Sequence, residues 1–282
     1  MKVSLIFISF IFLVITLSYL VTSQVVQTQV IELTEKVRDF FVEATKGNIV
    51  GQIAKNKFGV NLNVGTTEED IQSQGGTLVF LQSAELIGII SSDTTNDILL
   101  GENATSVFIE GLDENFTEIS ELVNLSAITT NTVQEYIRVN RMFVNQVGNY
   151  TSSNAGTITG TAAVSGTVQI EIPVGSGQSK TTHFTVPAGQ NLIITAFRVT
   201  MDTGKEIDIA AKFRSDADDV VPPVSPIKTI RDLKGLSSPT SGISLGNLKF
   251  DEKTDIWVTG VSSIGTAAIE VNYDFVQYAI GT

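Results

Sequence analysis

From Val3 to Val21 the chain reads VSLIFISFIFLVITLSYLV, an apolar run without a charge, and about 20 helical residues suffice to cross the hydrocarbon core of a bilayer. Its bulk comes from Val3, Leu5, Ile6, Phe7, Phe10, Phe12, Leu13, Leu17 and Leu20. A transmembrane segment is therefore predicted over 1–23. Val21-Thr22-Ser23 also offers the small or β-branched residues that signal peptidase accepts, so the segment is an anchor or a signal peptide; its length beyond the usual ~7–15-residue signal core favours the anchor. The period then changes. Val26, Val30, Leu33, Val37, Phe40 and Ala44 fall at alternating steps of four and three, the seam of a short coiled coil, which predicts an amphipathic stalk helix over 24–46. About three heptads do not stand alone in water, so the seam needs a cover, either further copies of the chain or the protein's own core.

After Gly47 the helical period fades and glycine, threonine, serine and asparagine become frequent. Residues 47–76 read as an extended segment leading into the β domains. Strands are predicted at Thr77–Gln82, Ala104–Glu110, Thr117–Leu125, Glu135–Val144, Thr157–Thr161, Thr167–Ile172, Thr181–Val186, Leu192–Thr200, Ile207–Phe213, Ile256–Val261 and Ala267–Tyr278. Many short strands between turn signals, with little further helix, point to β-sandwiches. The fold class read from the chain is thus mainly β, with two β-sandwich, jelly-roll-like domains behind an N-terminal transmembrane and stalk helix. A boundary is expected near Gly160, in the small, polar stretch YTSSNAGTITGTAAVS, giving a first β domain over 77–159 and a C-terminal β-sandwich over 160–282. Ser215–Thr240, with its SDADD and VPPVSP, reads as a long loop, since proline is excluded from central strands.

One stretch resists periodicity. In GLDENFTEISELVNL, Gly111 to Leu125, the apolar Phe116, Ile119, Leu122 and Val123 fit helical as well as strand spacing. Gly111 can supply a positive φ, and Asp113 and Asn115 are turn formers, so GLDEN fits a hairpin loop between two strands.

Composition narrows the chemistry. The 282 residues are 42% hydrophobic, enough for a large core. Thirty acidic against eighteen basic residues give a net charge of −12, which repels phosphate backbones and argues against nucleic acid as a partner. Cysteine is absent, which removes thiolate metal sites, cysteine nucleophiles and disulfides. The single histidine, His183 in KTTHFTV, makes no zinc set by itself and reads as structural. No HExxH or phosphate-loop motif occurs, and the glycines of Gly156–Thr161 and of Gly175-Ser176-Gly177 precede no helix. Asp216, Asp218 and Asp219 lack the glycine and closing glutamate of a calcium loop and read as a solvated loop. No catalytic, cofactor-binding or metal residue is assigned, and no cofactor is expected. Asn103, Asn115, Asn124 and Asn149 head sequons that would accept N-glycans in a secretory context. Trp257, between Ile256 and Val258, reads as a core residue rather than a sugar platform.

Several blocks, taken in order, carry a resemblance. They are GNIVGQIAKNKFGVNLNVGTTEEDIQSQGG at Gly47–Gly76; SSDTTND, SVFIEGLDENFTEISELVNL and YIRVNRMFV between Ser92 and Val144; and, near the C-terminus, IPVGSGQSKTTHFTVPAGQNLIITAFRV and FDEKTDIWVTGVSSIGTAAIEVNYDFVQY. Together they resemble a family of virion structural proteins of tailed phages, many of them marine, and of some large algal viruses. The resemblance implies a strand for the ambiguous stretch, contacts with other particle proteins, and no catalytic residues. This chain differs from the phage pattern in its hydrophobic N-terminus and in Gln72 after Glu69-Asp70-Ile71, where a tryptophan is common.

These readings converge on a non-enzymatic, membrane-anchored minor capsid protein that links a capsid shell to a viral membrane. Its expected partners are other capsid proteins, the lipid of that membrane and further copies of itself in a homo-oligomer. The alternative is an anchored or secreted β-sandwich module that binds carbohydrate or a receptor. A glycoside hydrolase would need two carboxylates facing across a cleft.

Overall fold

The computed structural model describes Ser18 and residues 40–237, 240–243 and 248–281. The transmembrane segment predicted over 1–23, Ser18 aside, and the stalk positions Val26, Val30, Leu33 and Val37 lie outside these residues. Among the described residues no helix is long and apolar enough to cross a membrane. The chain divides into two compact units, 1–50 and 51–282.

Among the described residues of the first unit is the short helix α1 (Phe40–Thr45), where the predicted stalk ends. It stops because Gly47 takes φ +73, which lets its N–H reach the Ala44 carbonyl at 3.1 Å while the Asn48 N–H reaches Glu43 at 3.0 Å. Such a left-handed residue satisfies carbonyls the last turn would otherwise leave open.

The second unit is antiparallel β throughout. Its strands are β1 (Gln52–Val64), β2 (Glu69–Asp70), β3 (Glu85–Ser91), β4 (Ala104–Leu112), β5 (Glu118–Asn124), β6 (Thr130–Tyr136), β7 (Arg138–Val147), β8 (Ile158–Ala162), β9 (Val168–Ile172), β10 (Phe184–Thr185), β11 (Gln190–Met201), β12 (Ile207–Arg214), β13 (Lys228–Leu236), β14 (Thr240–Ile243), β15 (Leu248–Phe250), β16 (Asp255–Ser262) and β17 (Ala267–Ala279). The described strands form four sheets in two layered pairs. In one pair, β6-β3-β8-β9 faces β5-β4-β7 across a core that includes Ile87, Ile109, Tyr136, Met142 and Ile158. In the other, β1-β17-β11 with β14 and β15 faces β10-β16-β12-β13 with β2 across Phe197, Ile209, Val258, Tyr273 and Phe275. Burial of one face on alternate residues holds the long strands in register: in β17, Ala267, Ile269, Val271, Tyr273 and Phe275 point inward in turn, and a one-residue slip would expose them all.

The sheets redraw the expected boundaries. Residues 47–76 are more than an extended lead-in, because β1 pairs with β17 from Gln52↔Tyr278 to Val64↔Ala267 and so belongs to the C-terminal sandwich. Gly160 lies inside β8, which pairs with β3 and β9, so the first sandwich extends to Ile172. Thr77–Gln82 is irregular: Leu78 N–H binds Asp70 Oδ2 at 2.7 Å, and Phe80 packs edge-on against His183 and Trp257, so these residues fill the joint between sandwiches instead of alternating across a sheet. The strand expected over Glu135–Val144 is the end of β6 and most of β7, and the loop expected over Ser215–Thr240 contains β13, an edge strand laddered to β12.

The ambiguous stretch is a hairpin. β4 and β5 pair from Ser106↔Asn124 to Leu112↔Glu118, and Asp113 closes the turn by accepting from the N–H of Asn115 and Thr117. The positive φ falls on Phe116, at 62°, and not on Gly111. Gly111 serves another end: a Cβ there would lie 2.1 Å from the Arg138 carbonyl, so its bareness lets β7 run close beside β4.

Candidate functional site

β7, an edge strand of the first sandwich, runs beside the segment 177–185 that leads into the second. Val144 N–H binds the Gly177 carbonyl and Ser179 N–H the Met142 carbonyl, both at 2.8 Å. Asn140 copies a strand partner with its side chain, giving Nδ2 to the Thr185 carbonyl at 3.1 Å and accepting the Thr185 N–H at 2.9 Å. Arg138 makes the central contact. Its Nε and Nη2 meet the two carboxylate oxygens of Asp255 at 2.9 and 3.0 Å, and Nη1 donates to the Leu81 and Ile137 carbonyls at 2.8 Å. The Phe80 and Phe116 ring centroids lie 4.9 and 5.5 Å from the guanidinium carbon, and Thr185 Oγ1 donates to Asp255 at 2.6 Å. A buried, bidentate pair of this kind tolerates no slippage, because displacing either member strands a charge away from water.

Beside this joint lies a cavity of about 370 Å³, within the range of small-molecule sites. β1 lends Lys55, Asn56 and Lys57; β4 lends Glu110; β5 lends Glu118, Ile119 and Ser120; β7 lends Asn140 and Arg141; Phe184 and Phe275 supply apolar wall. Lys57 is only 7% exposed. Its Nζ donates to the Asn140 carbonyl. Burial, helped by the nearby Arg141 cation and opposed by Glu110, pulls its pKa from 10.5 down to about 7; an ammonium loses its hydration there and, among the described residues, gains no carboxylate at bonding distance. Glu118 is otherwise engaged, by Lys55 at 3.3 Å, Gln277 at 3.1 Å and Gln190 at 3.3 Å. Arg141 donates to Gln178 at 3.0 Å and lies over the Phe143 ring.

The residues singled out from sequence are dispersed. His183 is buried at the joint, with Nε2 3.0 Å from Asp70 Oδ2 and Nδ1 2.9 Å from Thr181 Oγ1. Trp257 is buried on β16, its ring parallel to that of His183 at 6.4 Å. Asp218 pairs with Lys253 at 2.7 Å and Asp216 accepts from Ser225, and among the described residues no group of three or more acidic or histidine side chains could hold a metal. Gly175 and Gly177 sit in a turn held by Asn154. Asn115, Asn124 and Asn149 are exposed, whereas Asn103 is half-buried and gives its amide to the Ser153 carbonyl at 3.0 Å.

Sequence reasoning missed the joint and the cavity. The available signal was polar residues in core phase: Tyr136, Arg138, Asn140 and Met142 alternate along YIRVNRM, and all four are buried. It also missed Asp97, fully buried, which accepts from the Ala104, Ala155 and Gly156 N–H groups at 3.1, 2.8 and 2.8 Å and from Ser91 Oγ at 2.6 Å. This carboxylate ties together the loops at one end of the first sandwich.

No family model matches the chain, and no curated protein matches it. Solved structures similar to it include an infectious bursal disease virus Gx strain structure, 9% identical with a TM-score of 0.25 over 82% of this chain and 72% of the other. A mutant VP2 protein of the same virus, from derived T=1 particles, is 13% identical with a TM-score of 0.21 over 86% and 79% of the two chains. The VP2 subviral particle of that virus gives 11% identity and a TM-score of 0.20 over 86% and 82%. Superpositions this loose carry no argument about the fold or role of this chain.

Proposed function

We propose that this chain is a non-enzymatic structural protein of a virion, a minor capsid protein whose N-terminal apolar segment sits in a viral membrane and whose sandwiches contact other capsid proteins and further copies of itself. The observation that carries this reading is the joint. A buried ion pair, two aromatic faces and a side-chain strand mimic fasten two sandwiches into one body of fixed angle, which suits a spacer that must present the same surfaces at every copy. The ordered blocks that resemble virion proteins of phages and algal viruses support the same role, and the uncharged run from Val3 to Val21 is long enough to anchor it. Mass spectrometry of purified particles before and after detergent extraction tests it. Abundant protein that retains Met1–Ser23 and is released only when lipid dissolves is expected; absence from particles, or a mature start at Gln24 in a secreted fraction, sinks it.

A second reading, a surface binding module, draws on one feature. Tyr150 is fully exposed, as is most of Leu100, and their loops meet where Gly148 abuts the Gly101 carbonyl. Loops preorganised by Asp97 with an aromatic tip suit recognition. The secreted fraction in the same experiment distinguishes it.

A further inference from the structure

We propose that the cavity between the two sandwiches is a binding site for a small organic carboxylate, held by Lys57 and Arg141, with room for a sugar-sized body on the acid. The site does not depend on the virion role.

The charges argue for an anion. Lys55, Lys57 and Arg141 outnumber Glu110 and Glu118 on the wall, and Glu118 is already paired with Lys55. That leaves two cations and Glu110 facing the open volume. An ammonium has three N–H donors, and the Asn140 carbonyl takes one, so two are left for a ligand. A protonated lysine this deeply buried lacks a counter-ion at bonding distance among the described residues, and a carboxylate would supply one.

The rest of the wall sets the ligand's body. Ile119 and Phe275 give apolar surface, while Asn56, Ser120 and Glu110 can bond hydroxyls. An acidic monosaccharide combines these features: one carboxylate, a ring with an apolar face, and hydroxyls on its rim. Binding must also be linked to pH. The charged groups around Lys57 are Lys55 on its own strand, Glu110 on β4, Glu118 on β5 and Arg141 on β7; β10 and β17 present Phe184 and Phe275. Burial leaves Lys57 half-protonated at about pH 7, and only the ammonium attracts the acid. Affinity should therefore fall as pH rises through that value.

Calorimetric titration of the full chain with D-glucuronate, acetate and D-glucose tests this. Saturable glucuronate binding is expected at about pH 6, weakening about 30-fold by about pH 8.5, the ratio of protonated Lys57 at the two values. Buffers of different ionisation heat should report proton uptake on binding above neutrality, a readout that needs no variant. Lys57→Met should abolish binding, and Lys57→Arg should keep it while removing its pH dependence. Acetate competing with glucuronate assigns the site to carboxylates in general; glucuronate binding without acetate competition assigns it to acidic sugars. Glucose binding as well as glucuronate, equal affinity at both pH values, or no saturable binding of either acid up to about 10 mM, weaker than typical small-ligand affinity, overturns the proposal.

Discussion

Replacing Lys57 by methionine removes a buried amine while keeping an unbranched side chain, and its effect on stability should depend on pH in a calculable way. A pKa unit is worth about 1.4 kcal/mol, so a lysine at about 7 in the folded chain and at its ordinary 10.5 in the unfolded chain opposes folding by at most about 5 kcal/mol. Below about pH 7 both states hold the proton, and the whole opposing contribution is present. Between about pH 7 and 10.5 the unfolded chain keeps its proton while the folded chain has released it, so stability rises with pH. From about pH 6 to about pH 9.5 the Lys57 contribution should improve by about 3 kcal/mol, and the methionine variant has no such contribution. The variant's advantage over the natural chain should therefore be largest in mild acid and shrink by that amount in base. Urea unfolding, read by the fluorescence of the single tryptophan, Trp257, buried at the joint, measures both curves. A stability difference that stays constant across this range, or grows with pH, refutes a depressed lysine.

Asp255→Ala should destabilise by about 3–5 kcal/mol, because Arg138 is left charged and buried, and a joint Arg138→Met, Asp255→Leu replacement should recover most of the loss in chemical unfolding. Asp97→Ala should cost about 2–4 kcal/mol and speed hydrogen exchange at the Ala104, Ala155 and Gly156 amides that it binds, with exchange elsewhere little changed. Gly111→Ala should cost at least about 2 kcal/mol through collision with the Arg138 carbonyl. Gly166→Ala, at a positive φ of 69° with open space around it, should cost only about 1 kcal/mol of backbone strain, a contrast thermal melting resolves.

The strands most legible in the sequence are those with one buried face. β12 and β17 alternate apolar and polar residues between turn residues and lie close to their predicted spans, while β4 and β16 lie close to theirs although buried on most positions of both faces. β1 was missed because its inward positions include Lys57 and Asn61, polar residues that face a joint and not an apolar core. β3 was missed for the opposite reason. ELIGIIS is apolar on consecutive positions and buried on both faces, and such a run has no period. β13 is exposed or half-buried along its whole length, so its backbone ladder to β12 makes it a strand with no side-chain pattern to betray it. The cavity was out of reach for a different reason: its residues lie far apart in sequence, on β1, β4, β5 and β7, and only the pairing of β1 with the last strand of the chain brings them together.

The cavity and the joint share atoms, and this gives the protonation of Lys57 a reach beyond its own pocket. The Asn140 carbonyl receives Lys57, while the side chain of the same residue holds the Thr185 backbone in both directions. Thr185 in turn bonds Asp255, which holds Arg138. These five residues form one unbroken buried network that runs from the first sandwich to the second. A buried ion pair adds little net stability over an apolar contact of the same shape, but it narrows the arrangements in which no charge is stranded. A carboxylate that neutralises Lys57 removes the one unpaired charge at the network's end and should hold the joint more tightly. A physical coupling of this kind needs two sites that bias one shared equilibrium, here the opening of the joint. Amide hydrogen exchange at Asn140 and Thr185, with and without D-glucuronate at about pH 6, reads that equilibrium directly. Slower exchange at both amides with ligand, lost in the Lys57→Met variant, is the expected result. Unchanged exchange under saturating ligand would separate the cavity from the joint and leave the network a purely static fastening.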